Sequence, residues 1–156
     1  MILIADSSAL VTLAIVDKLD VLVKLFNEVY IPQAVYDEIT QDKKPLSKRL
    51  STYFVDKVVS IDTDINFNIS LGKGESEAIV LYQQKNADFL LCDDKKAKKF
   101  AQSFGIKVVG SLGILLKAKE KNLIKEISPL LDMLKNSSIF IDDKTYQLVL
   151  KMAKED

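Results

Sequence analysis

Apolar residues in this chain arrive in short runs without alternation: ILIA at 2–5, VYI at 29–31, VVSI at 58–61, FLLC at 89–92 and IKVV at 106–109. A strand buried on both faces has no polar side, so it reads as a continuous apolar run. Between the runs, apolar positions recur every three or four residues, the period of helices with one buried face. Helices are predicted over 8–26 with a break near 17–20, from Pro32 to 40, and briefly after Pro45. Others are predicted over 74–85, 94–104, 111–121, 124–135 and 142–154. Pro32 suits a first helical position and Gly105 a helix end. Strands alternating with helices specify a parallel sheet covered on both sides. The expected fold is α/β: a three-layer α/β/α sandwich with a central, mainly parallel sheet of four or five strands. One domain over 1–156 is expected, with no linker or repeat to divide it.

Composition narrows the chemistry sharply. The chain has no histidine, which removes the commonest general base, the Ser-His-Asp triad and nearly every zinc site. Cys92 is the only cysteine, so no internal disulfide or cysteine-rich metal site can form. No run approaches the roughly 18 apolar residues of a membrane span. MILIADSSAL carries no basic leader, so a secretory signal is not expected and a reducing cytoplasm is. Net charge is zero, yet residues 95–125 hold nine lysines against a single acid, Glu120. That basic stretch is either a solvated helix face or a surface for an anionic partner.

The acids fall where a parallel sheet places its ligands, outside the carboxyl ends of the strands. Asp6 closes the first strand. In FLLCDDKKAKK, Asp93 and Asp94 close the fourth, directly before four lysines. Asp94 sits where the helix 94–104 needs an N-cap, and one cap does not account for two aspartates. Glu38 borders the buried face marked by Val35 and Ile39. Glu75 and Glu77 lie about 200° apart around one helix, so only one can face a shared centre, and Glu77, a turn before Leu81, is the better placed. Both also sit in the helix's positive first turn. Gly72-Lys73-Gly74 lacks the ending of a phosphate-binding P-loop. Carboxylates about 4 Å apart repel by roughly 4 kcal/mol at an effective dielectric near 20, so a cluster keeps protons or takes a cation. With oxygen donors only, that cation would be Mg²⁺ or Mn²⁺.

The segments IADSSAL at 4–10, VYDEI at 35–39, GKGESEAIVLY at 72–82 and LLCDDKKAKKFAQSFGIKVVGSLGIL at 90–115 together resemble the PIN-domain family, which includes VapC-like ribonuclease toxins. The resemblance implies a metal-dependent endoribonuclease, commonly dimeric and held inactive by an antitoxin. By motif it carries the catalytic and metal-binding acids onto Asp6, Glu38, Glu77 and Asp94, with Asp93 as a ligand or a neighbour of one. The motifs admit two registers, Glu75 or Glu77 and Asp93 or Asp94. Ser8 and Ser111 match positions near substrate, and Lys95, Lys96, Lys98 and Lys99 would steer RNA.

The expected function is therefore RNA hydrolysis with Mg²⁺ or Mn²⁺, in a cytoplasmic homodimer paired with an antitoxin and away from membranes. The alternative is a PIN-like nucleic-acid- or protein-binding module without catalysis. A phosphotransferase of the haloacid dehalogenase type would need an aspartate at position 8, which is serine. A receiver-type protein would need an early acidic pair that is missing.

Overall fold

A computed structural model describes residues 1–41, 46–62 and 71–156. Its strands are β1 (Ile2–Ala5), β2 (Glu28–Pro32), β3 (Val58–Val59), β4 (Phe89–Leu91) and β5 (Val108–Val109). They form one five-stranded, all-parallel sheet in the order β3-β2-β1-β4-β5. The edge strands β3 and β5 are two residues long, shorter than the apolar runs at 58–61 and 106–109 predict. Short edges leave little backbone open to pairing with another chain.

The helices are α1 (Ser7–Ile15), α2 (Val21–Leu25), α3 (Gln33–Ile39), α4 (Ser47–Phe54) and α5 (Lys73–Gln84), then α6 (Lys95–Ser103), α7 (Ser111–Glu120), α8 (Ser128–Lys135) and α9 (Asp143–Met152). The break expected near 17–20 separates α1 from α2, with Asp17 in a left-handed conformation at φ 54°. The prediction of a helix from 124 started too early. Pro129 lacks an amide hydrogen and belongs in a first turn, so α8 begins at Ser128. Ile124 and Ile127 are nevertheless buried, in the loop before it.

Successive residues of the strands serve opposite layers, which explains the missing alternation. Leu3, Ala5 and Leu91 pack with α1, α2, α4 and α7–α9 in the larger core. Ile4, Leu90 and Cys92 pack with α5 and α6 in the smaller one. The chain leaves β1 for β2 on one side and returns through β4 on the other, so strand order reverses between β1 and β4. Crevices form at such reversals.

Candidate functional site

Asp6 follows β1 and caps α1, where Ser7 N–H donates to Oδ1 at 2.8 Å. The thiol of Cys92 donates to Oδ2 at 3.7 Å, and Asp6 is 4% exposed. Burial, followed by the negative charges of Glu75 and Glu38, raises the Asp6 pKa to about 6, against the Ser7 amide and the Cys92 thiol, which lower it. Burial also pushes the Cys92 thiol up to about 12, so it stays protonated as a donor.

A cleft of about 230 Å³ opens beside Asp6, lined also by Ser7, Ser8, Glu38, Glu75, Asp93 and Asp94. Glu38 comes from the half-buried flank of α3. Glu75, in the first turn of α5, reaches back and accepts from the N-cap Gly72 N–H at 3.0 Å. Gly74 is a site residue that sequence reasoning missed. A Cβ there would stand 3.2 Å from Val35 Cγ2, 3.5 Å from Glu38 Oε1 and 3.8 Å from Asp6 Oδ1. Only glycine lets α5 close in on these two carboxylates without displacing a core valine. The signal was present, since Gly74 is the second glycine of GKGESEA.

Of the two registers, it is Glu75 and not the preferred Glu77 that lines the cleft. The Glu77 carboxylate is buried against α3 and accepts from Ala34 N–H at 3.1 Å. The helix α3 begins at Pro32, which offers no capping side chain, so a distant acid completes its first turn.

The paired aspartates cap two different helices. Asp94 caps α6, accepting from Ala97 N–H at 2.8 Å. Asp93 reaches α7, whose N-cap is Gly110, and accepts from both the N–H and the hydroxyl of Ser111 at 2.7 Å each. Both aspartates border the cleft as well. Ser111 is 2% exposed and its hydroxyl is committed to Asp93, so it does not present a free hydroxyl to a substrate as expected. Ser8 is exposed and lines the cleft. Lys95, Lys96 and Lys99 are exposed on α6 and Lys98 is half-buried near Gly110, and none of the four lines the acidic cleft.

Five carboxylates at the strand-order reversal therefore share one small opening. Among the described residues, no three acid or cysteine side chains converge closely enough to cage an ion as they stand. The donor set is nonetheless all hard oxygen, and Asp6 bears the repulsion of its acidic neighbours. That combination fits a Mg²⁺-like ion, which keeps several waters and needs only one or two direct carboxylates.

An all-parallel sandwich with an acid-lined crevice at its reversal point places the chain among α/β proteins whose site lies at the carboxyl ends of the strands. The family model described as DUF3368, a PIN domain, matches residues 2–155, and the chain belongs to the PIN-domain family. Proteins of this family are generally nucleases that use divalent metals. A search of curated proteins finds no match. Among solved structures, the chain is similar to a PilT N-terminus domain protein from the archaeon Sulfolobus solfataricus P2, with 17% identity and TM-score 0.49 over 76% of this chain and 93% of that one. Among the described residues, no helix is long and apolar enough to cross a membrane.

Proposed function

We propose that this protein is a divalent-metal-dependent endoribonuclease, the toxin member of a toxin–antitoxin pair, acting in the cytoplasm as a homodimer. The observation that carries the catalytic part is the gathering of Asp6, Glu38, Glu75, Asp93 and Asp94 around one cleft, with Asp6 buried and raised to about 6. Asp6, Glu38 and Glu75 would hold Mg²⁺ or Mn²⁺, in part through water, with Asp94 in the same lining. When bound, the ion supplies charge neutralisation at a phosphate and a lowered pKa for coordinated water. The chain's own residues do the positioning. Ser7 N–H and Cys92 aim the Asp6 carboxylate, and Gly74 sets the approach of α5. Ser8 stands at the mouth, within the cleft lining, as a hydroxyl for a phosphate or water. The exposed lysines of α6 draw RNA toward the opening by its backbone charge.

The test is incubation with a panel of RNAs and Mn²⁺, with and without chelator, comparing the parent with Asp6→Asn. Chelator-sensitive cleavage that the variant lacks supports the reading. Equal cleavage by both proteins overturns it.

One observation favours a second reading, a binding module without catalysis: Glu75, Asp93 and Asp94 are already bonded to helix-start amides. Titration with Mn²⁺ separates the two. Saturable binding lost in Asp6→Asn marks the nuclease, and no carboxylate-dependent binding marks the inert module.

A further inference from the structure

A second cleft, of about 380 Å³, shares Ser8 and Asp93 with the acidic one. Its chemistry is different. Leu112, Leu134 and Ile141 supply apolar wall, Lys95 stands in its lining, and Phe140 forms part of the rim. Phe140 is 88% exposed, the most exposed large apolar side chain among the described residues. An aromatic ring held in water costs hydrophobic free energy that a flat ligand would recover. The volume lies in the roughly 300–1,000 Å³ range of ligand-sized clefts, and apolar walls with a few polar groups are their usual lining.

We propose that this cleft binds a nucleobase of single-stranded nucleic acid, stacked on Phe140, while the phosphate of the same nucleotide lies over the adjoining acids. The assignment rests on the reading of the acidic cleft as a phosphodiester site. A base and its phosphate are joined through one sugar, so two openings with a common wall, one acidic and one apolar, match the two halves of a nucleotide. Lys95, the first residue of α6, stands in this lining near Asp142 and offers positive charge to a neighbouring phosphate. A protein segment filling the apolar cleft would find no such use for the continuity with five carboxylates. Stacking on an aromatic side chain tolerates any base, so the site anchors a strand without fixing its sequence.

The chain has no tryptophan, so Phe140→Trp places a single fluorescent reporter at the rim. In metal-free buffer, nucleosides, which carry no phosphate to meet the acids, should quench it saturably, and ribose should not. Phe104→Trp, at another exposed position beyond α6, is the control and should show no saturable quenching. In an Asp6→Asn background, Phe140→Ala should weaken binding of a labelled single-stranded oligonucleotide roughly tenfold. No quenching, equal quenching by ribose or in both tryptophan variants, or unchanged oligonucleotide affinity overturns the proposal. Quenching needs no cleavage, so the two readings fail separately. A protein quenched by nucleosides but inert toward RNA keeps the base site and loses the nuclease. A cleaving protein without quenching does the reverse.

Discussion

Asp6 and Glu155 are both acids withdrawn from water, and their carboxyl groups shift in opposite directions. Glu155 accepts from Lys119 Nζ at 2.7 Å, from Ile127 N–H at 2.8 Å and from Ser128 N–H at 3.0 Å. Burial alone would raise its pKa, but the lysine and the two amides outweigh burial and hold it below the usual carboxylate range. Asp6 has one amide and a weak thiol donor, with Glu75 and Glu38 for neighbours, and is raised to about 6. The same physics yields a fastening in one place and a charge lacking a counterion in the other. Burial by itself marks neither; the company a carboxylate keeps decides its use.

The sharpest way to break that contrast is Asp6→Asn. The expected outcome is loss of RNA cleavage by a hundredfold or more, since removing a charge that holds an ion acts on the transition state itself, while the melting temperature stays level or rises. A variant that cleaves normally would place Asp6 beside Glu155 as structural.

Next in size is a dependence of stability on pH. An acid whose folded pKa lies above its unfolded value stabilises the fold while protonated, and that contribution is lost as pH rises. For Asp6 the window runs from its unfolded value near 4 to about 6, and the loss reaches about 3 kcal/mol. In metal-free urea titrations the parent should lose stability over that window relative to Asp6→Asn. Added Mn²⁺ near pH 7 should restore it in the parent only. Identical pH profiles for the two proteins would remove the claim that Asp6 is charged at a cost.

On the other side of the comparison, Glu155→Ala leaves the Ile127 and Ser128 amides without their acceptor and Lys119 with only the Ala153 carbonyl. It should cost about 1–3 kcal/mol, seen as a melting temperature several degrees lower, with cleavage per folded molecule unchanged. Gly74→Ala should cost about 1–2 kcal/mol, because Val35 must yield to the new methyl group, and should weaken Mn²⁺ binding as well. An alanine variant with parental Mn²⁺ affinity would show that the approach of α5 to Asp6 and Glu38 does not matter. Smallest of all is Cys92. With its thiol raised to about 12 and buried, it should resist iodoacetamide in the native protein at pH 8. Rapid native alkylation would mean that the wall behind Asp6 opens.

The fold was largely readable because the strands are buried on both faces and announce themselves as unbroken apolar runs. Asp6, Asp93 and Asp94 were readable for a related reason, since each directly follows such a run and strand ends fix position. Glu38 was readable only as far as its flank of α3. The choice between Glu75 and Glu77 was not readable from local periodicity. It is decided by α3, whose start lies 43 residues before Glu77 and lacks a cap of its own. A faint signal existed. Pro32, Gly110 and Ile127 stand at helix starts with no capping side chain, and acids from elsewhere, Glu77, Asp93 and Glu155, complete those three. Ser111 misled for the same reason, its hydroxyl being spent on Asp93. The predicted helix after Pro45 is found as α4, though Pro45 itself falls outside the described residues.

These borrowed caps impose a timetable on biosynthesis. While the chain emerges from the ribosome, α3 is spelled out long before Glu77 exists to finish its first turn, and α8 waits for Glu155, 27 residues after Ser128. The helical layer around α8 is therefore sealed only once Glu155 has emerged.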